Sequence, residues 1–224
     1  MNHISELAQL GTSTWLDDLS RERLVSGNLK EIISTKSIVG VTTNPAIFAA
    51  AMTNGTAYDA ELATLKESKA SADEAVYALA IEDVQNACDL FADIYSSTDG
   101  ADGRVSIEVD PRISDDPTAT LEQARELWSK VDRPNVMIKI PATTGSLPAI
   151  EDALAEGISV NVTLIFSVER YRAVIETFRT GLKRAAESGK DVATIHSVAS
   201  FFVSRLDTEV DKRLEAIGLS LIHI

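Results

Sequence analysis

Lys139 stands as a lone cation in the run Asn135 to Gly145, NVMIKIPATTG, flanked by Val136, Met137, Ile138 and Ile140. A cationic side chain carried into an apolar interior loses its hydration and needs compensation. Where that loss leaves part of the amine neutral, the lysine is a nucleophile towards carbonyl carbon. The protonated Schiff base it forms is an electron sink for breaking an adjacent C–C bond. Single polar residues close or interrupt other short apolar runs: Asp17 after Trp15 and Leu16, Asn44 after SIVGVTT, and Glu108 in VSIEV. Asn161 and Thr163 do so in ISVNVTLIF, and Ser200 ends ATIHSVAS.

A lysine, two carboxylates and several amides and hydroxyls suit aldol chemistry without a metal or an organic cofactor. In that scheme Lys139 forms the imine. Glu108 shuttles the protons of carbinolamine dehydration through a water that Thr163 helps hold, and Asp17 takes the proton from the hydroxyl beyond the bond to be cleaved. Asn44, Asn161 and Ser200 hydrogen-bond substrate hydroxyls, and Arg205 offers a planar fork to a phosphate. Each residue also has a plain structural role: Glu108 and Lys139 as an ion pair, Asp17 as a cap, Asn44 with Pro45 as a turn pair. The joint pattern, rather than any one residue, points to a site.

The elements that must position these residues alternate. Trp15 and Leu16 read as a short strand running into a turn, and Ser37 to Pro45 as a second strand that proline ends. Ala72 to Tyr95 has the spacing of one amphipathic helix, with Ser71 as N-cap. Val105, Ile107 and Val109 alternate with Ser106 and Glu108 as a third strand. A helix begins at Asp116 with Pro117 in its first position and an apolar stripe through Leu121, Ala124, Leu127, Trp128 and Val131. The lysine strand, a helix over Leu147 to Ala155, and a fifth strand follow, the last with Val160, Val162 and Leu164 on one face. A helix from Ser167, a sixth strand ATIHSVAS and a helical FVSRLDTEVDKRL complete the pattern. Strand–helix repetition predicts parallel strands with crossover helices, and no linker divides them. Neither GxGxxG nor GxxxxGK[ST] occurs, which favours a (β/α) barrel over a doubly wound open sheet. In a barrel the carboxyl ends of all strands meet at one mouth, so the scattered polar residues converge.

The formal charge of −13, from 21 basic and 34 acidic residues, argues against a general nucleic-acid or membrane-surface binder. With no long apolar run the chain reads as cytoplasmic. Cys88 reads as a small buried apolar residue, and His3, His196 and His223 lack zinc-site spacing.

Six stretches resemble the transaldolases, specifically the longer bacterial type: TSTWLDDLSR, GVTTNPAIF, VSIEVDPR, NVMIKIPATTGSLPAI, ISVNVTLIFS and ASFFVSRLD. The resemblance implies a (β/α)8 barrel with the imine lysine on the fourth strand, where the count of strands puts Lys139. It implies a Schiff-base enzyme of the pentose phosphate pathway acting on small sugar phosphates. Such an enzyme moves a dihydroxyacetone unit from sedoheptulose 7-phosphate to glyceraldehyde 3-phosphate, giving erythrose 4-phosphate and fructose 6-phosphate. Asp17, Glu108 and Lys139 match its catalytic positions, and Asn44, Asn161, Thr163, Ser200, Phe202 and Arg205 match positions lining its pocket. The chain departs from the family after the sixth strand. Residues 1–218 are therefore expected to form a single incomplete barrel domain of about six of the eight units, and 219–224, LSLIHI, a non-native tail resembling a translated transposon-end adapter. Open edges predict instability or dependence on self-association. Two alternatives stay beside the transaldolase: an inactive fragment, and a simple Schiff-base sugar-phosphate aldolase.

Overall fold

β-branched and apolar runs become six strands: β1 (Thr14–Leu16), β2 (Ile38–Val41), β3 (Arg104–Glu108), β4 (Val136–Pro141), β5 (Val160–Ile165) and β6 (Ser197–Phe201). In this computed structural model, which describes residues 3–53 and 56–219, all six pair in parallel in the order β1-β2-β3-β4-β5-β6. Of the expected tail, only Leu219 falls within the described residues.

Helices supply the crossovers. Following α1 (His3–Gln9), α2 (Arg21–Val25) and α3 (Asn28–Lys36) link β1 to β2. Four more, α4 (Pro45–Thr53), α5 (Asp59–Glu67), α6 (Ala72–Leu90) and α7 (Ala92–Ser97), link β2 to β3. Single helices then alternate with strands: α8 (Pro117–Val131), α9 (Leu147–Ala155), α10 (Val168–Glu187) and α11 (Val203–Ala216). Caps set their starts. Ser71 and Glu74 form a reciprocal capping box on α6, Asp116 caps α8 ahead of Pro117, and Ser167 caps α10.

Several elements differ from the sequence reading; β2, for one, ends at Val41 rather than running to Pro45. The single helix expected over 72–95 is two, because fully buried Phe91 sits between them in the bridge region (φ −95°, ψ 0°). β6 begins at Ser197 rather than Ala193, because the Asp191 side chain accepts the Ala193 N–H and holds a 3₁₀ turn there. In β5 the register shifts between Val162 and Ile165, and Leu164 adopts φ 61°. That bulge removes Leu164 from the face of Val160 and Val162 and gives the buried position to Ile165.

The main core lies between the sheet and its helices. Val105, Ile107, Val136, Ile138, Ile140, Val160 and Val162 point to that side and pack with Leu121, Ala124, Leu127, Ile150 and Leu154. Period two sends Arg104, Ser106 and Glu108, then Met137 and Lys139, then Asn161 and Thr163, to the opposite, inner face. The sheet curls around that face. Gly40 of β2 lets it close on β1, since a Cβ there would lie 2.7 Å from the Trp15 ring. Among the described residues no helix is long and apolar enough to cross a membrane.

Candidate active site

Glu108, Lys139 and Asn161 stand in one row, because Glu108 pairs in register with Lys139 and Lys139 with Asn161. Lys139 is only 5% exposed and Glu108 8%. The lysine Nζ lies 3.2 Å from Glu108 Oε2 and donates to the Thr43 carbonyl at 3.0 Å. Its surroundings differ from the sequence expectation. Val136, Ile138 and Ile140 face the helices, so the lysine is buried among polar groups rather than in an apolar wall. Alternation puts a residue's sequence neighbours on the other side of the sheet.

Burial pushes the Glu108 carboxyl above its ordinary range; the Lys139 charge opposes that, and the Asp17 carboxylate adds to it. A carboxyl held above its ordinary range beside an amine is suited to pass protons to and from it. Asp17 itself is exposed just beyond β1. Its loop is pinned at Arg21, whose buried guanidinium pairs with Asp83 and, at 2.6 Å, with Glu61, while the Tyr58 hydroxyl donates to Asp83 at 2.6 Å.

Asn161 crosses the inner face. Its Nδ2 donates to Ser106 Oγ at 3.0 Å, and its Oδ1 accepts from Ser200 Oγ at 2.9 Å. β5 and β3 are two strands apart, about 9.5 Å in a flat sheet, so the Asn161–Ser106 bond exists only because the sheet curls. Asn161 and Ser200 also line a cavity of about 410 Å³ with Ser13, Trp15 and Thr42. Thr163 Oγ1 is buried and has no protein partner among the described residues. In a polar chamber such a hydroxyl is where a water or substrate oxygen is expected to bond.

The remaining expected residues are placed less centrally. Asn44 caps α4 by accepting the Ile47 N–H at 3.0 Å, and it borders a cavity of about 230 Å³ shared with Phe48, Tyr77, Glu108 and Arg112. Phe202 stacks on Phe166 with centroids 5.7 Å apart, and the exposed Arg205 holds its guanidinium 4.5 Å above the Phe202 ring. The structure thus brings Lys139, Glu108, Asn161 and Ser200 into one bonded or ion-paired region, with Thr163 beside Pro141 in register. Phe202 and Arg205 form a separate stack at the start of α11. Sequence reasoning missed Ser106, Thr43 and Tyr77. Ser106 shares the period-two face of Glu108 and was visible in principle; Tyr77 comes from a helix distant in sequence and gave no signal.

A parallel strand–helix sheet curled round a lysine–carboxylate pair defines the TIM-type (β/α) barrel class, with six units present here. The chain belongs to the transaldolase/fructose-6-phosphate aldolase family, which it matches over residues 14–222. It is 59% identical over 215 residues to a transaldolase of Kocuria rhizophila, covering 96% of this chain and 58% of that protein. A transaldolase of Mycolicibacterium smegmatis is 59% identical over 216 residues and one of Mycobacterium ulcerans 57%, with the same coverage, 96% of this chain and 58% of each relative. The chain therefore spans 58% of the length of the curated relatives it matches.

Proposed function

We propose that this sequence encodes a cytoplasmic transaldolase that works through a Schiff base on Lys139. The observation that carries the reading is the Lys139 amine, 3.2 Å from the Glu108 carboxylate in a buried polar row with Asn161. Nζ adds to the ketone carbon of sedoheptulose 7-phosphate, and the carbinolamine loses water to become a protonated imine. Glu108 moves the protons of that dehydration through a water shared with Thr163, whose hydroxyl has no protein partner among the described residues. Asp17 removes the proton from the hydroxyl beyond the bond to be cleaved. The bonding electrons flow into the imine, erythrose 4-phosphate departs, and a three-carbon enamine stays on the lysine. Its addition to glyceraldehyde 3-phosphate and hydrolysis of the imine release fructose 6-phosphate. Asn44, Asn161 and Ser200 orient hydroxyls, Phe202 forms a wall, and Arg205 binds phosphate.

Borohydride reduction with fructose 6-phosphate tests this. A stable adduct mapped by mass to Lys139, and absent from Lys139→Arg, is the expected result; a chain that gives no adduct is an inactive fragment, the reading that its 58% coverage of the relatives keeps open. The family also includes fructose-6-phosphate aldolases, which supports a second reading in which the three-carbon unit is released to water. Free dihydroxyacetone formed without an acceptor aldehyde would favour that aldolase.

A further inference from the structure

β2 and β3 share only two register pairs, Gly40 with Arg104 and Val41 with Val105, against four between β3 and β4. Past Val41 the chain leaves the sheet through Thr43 and Asn44 into α4. In a parallel sheet, alternate residues direct their N–H and C=O to opposite neighbours. Val105 and Val109 donate towards the fourth strand, to Asn135 O and Lys139 O at 3.1 Å each, so the carbonyls of Ser106 and Glu108 face the departed β2. Side-chain hydroxyls replace the missing ladder. Thr43 Oγ1 donates to Ser106 O at 2.7 Å, and Tyr77 Oη donates to Glu108 O at 3.3 Å. Thr43 is fully buried, and its own carbonyl accepts the Lys139 Nζ bond at 3.0 Å. Burial, and then the Asp110 carboxylate, push the ionisation of the Tyr77 phenol well above its ordinary range, so the ring keeps its proton to donate.

We infer that Thr43 and Tyr77 are positioning residues for the Lys139–Glu108 pair, clamping the splayed seam between β2 and β3. The inference rests on the Schiff-base reading above. The Thr43 hydroxyl fixes its own peptide, and that peptide's carbonyl holds one N–H of the lysine while Glu108 holds another. An amine with both N–H bonds held has its lone pair aimed in the single tetrahedral direction left, which sets the line of attack on a ketone. Tyr77 fixes the peptide of Glu108 and hence the second of those acceptors.

The test measures the rate of borohydride-trapped adduct on Lys139 against fructose 6-phosphate concentration, using the 224-residue chain and its variants, with thermal melts in parallel. Thr43→Val is expected to lower the saturating rate roughly ten- to a hundredfold while the half-saturating sugar concentration moves less than about twofold. Thr43→Ser, which keeps the donor, is expected to restore the rate to within about threefold, a rescue that a purely steric role would not require. Tyr77→Phe is expected to slow trapping by roughly three- to tenfold. A folded Thr43→Val that traps at the parent rate overturns the inference, as does a Thr43→Ser that loses as much as Thr43→Val. Should Thr43→Val fail to fold, a folded Tyr77→Phe with the parent rate overturns it instead. Absence of any adduct on the unsubstituted chain marks it as an inactive fragment and overturns this inference for it; absence on a full-length relative as well overturns the Schiff-base reading; unaffected variants on a trapping chain overturn this inference alone.

Discussion

Strands β3 and β4 are buried at every residue and β5 at all but Leu164, whereas every residue of β6 keeps part of its surface and α11 buries none. Residue type does not explain the contrast. Phe201, Val203, Leu206 and Val210 are as apolar as Ile138 or Val160, yet Leu206 is 50% exposed and Ile138 fully buried. Neighbours explain it. β4 has a strand on each side and α8 over its outer face, while among the described residues β6 pairs with β5 alone. An edge strand leaves one row of N–H and C=O groups without a ladder, and its flanking apolar side chains have only one side to pack on. The proposed site straddles both regions. Lys139, Glu108, Asn161 and Thr163 belong to the buried centre, and Ser200, Phe202 and Arg205 to the exposed edge, with the Ser200–Asn161 hydrogen bond joining the two.

Three substitutions sharpen that comparison. Ile138→Ala, at the heart of β4, is expected to cost about 2–5 kcal/mol in urea unfolding, because it opens a cavity in a packed wall. A loss below about 1 kcal/mol would mean the centre is looser than its burial implies.

Lys139→Met removes the charge that offsets burial at Glu108, so its ionisation midpoint, read by NMR of labelled glutamate, should rise further. The sign follows from linkage. A carboxyl whose folded midpoint lies above its unfolded one binds more protons in the folded chain. Its contribution to stability is therefore full below the ordinary carboxylate range and lost as pH rises through the folded value. The variant should gain stability relative to the parent on acidification; an unchanged pH profile would show that the ion pair does not set the Glu108 environment.

Leu206→Ala, on the exposed face of α11, is expected to change stability by no more than about 0.5 kcal/mol. A loss matching that of Ile138→Ala would mean that something covers the α11 face in solution and that the two regions are not different in kind.

Much of this arrangement is legible in the amino-acid sequence. Period two in VSIEV, with the Glu108 and Lys139 strands adjacent in order, gave a carboxylate beside a lysine, and Pro117 after Asp116 gave a helix start to the residue. The helix α4 was missed because PAIFAAAMT has no polar face, so no amphipathic period marks it. The Leu164 bulge was missed because simple alternation continues through it in the sequence while the register in space does not.

Composition and order alone determined an alternating parallel α/β chain and the residue types able to do imine chemistry, because hydrophobic period and caps are local properties. Tertiary structure alone decided that Lys139 sits among polar groups, that Asn161 reaches Ser106 across an intervening strand, and that Thr43 and Tyr77 supply the hydroxyls at the splayed seam. Those contacts depend on sheet curvature and on where β2 leaves the ladder, which arise from packing between segments far apart in the chain.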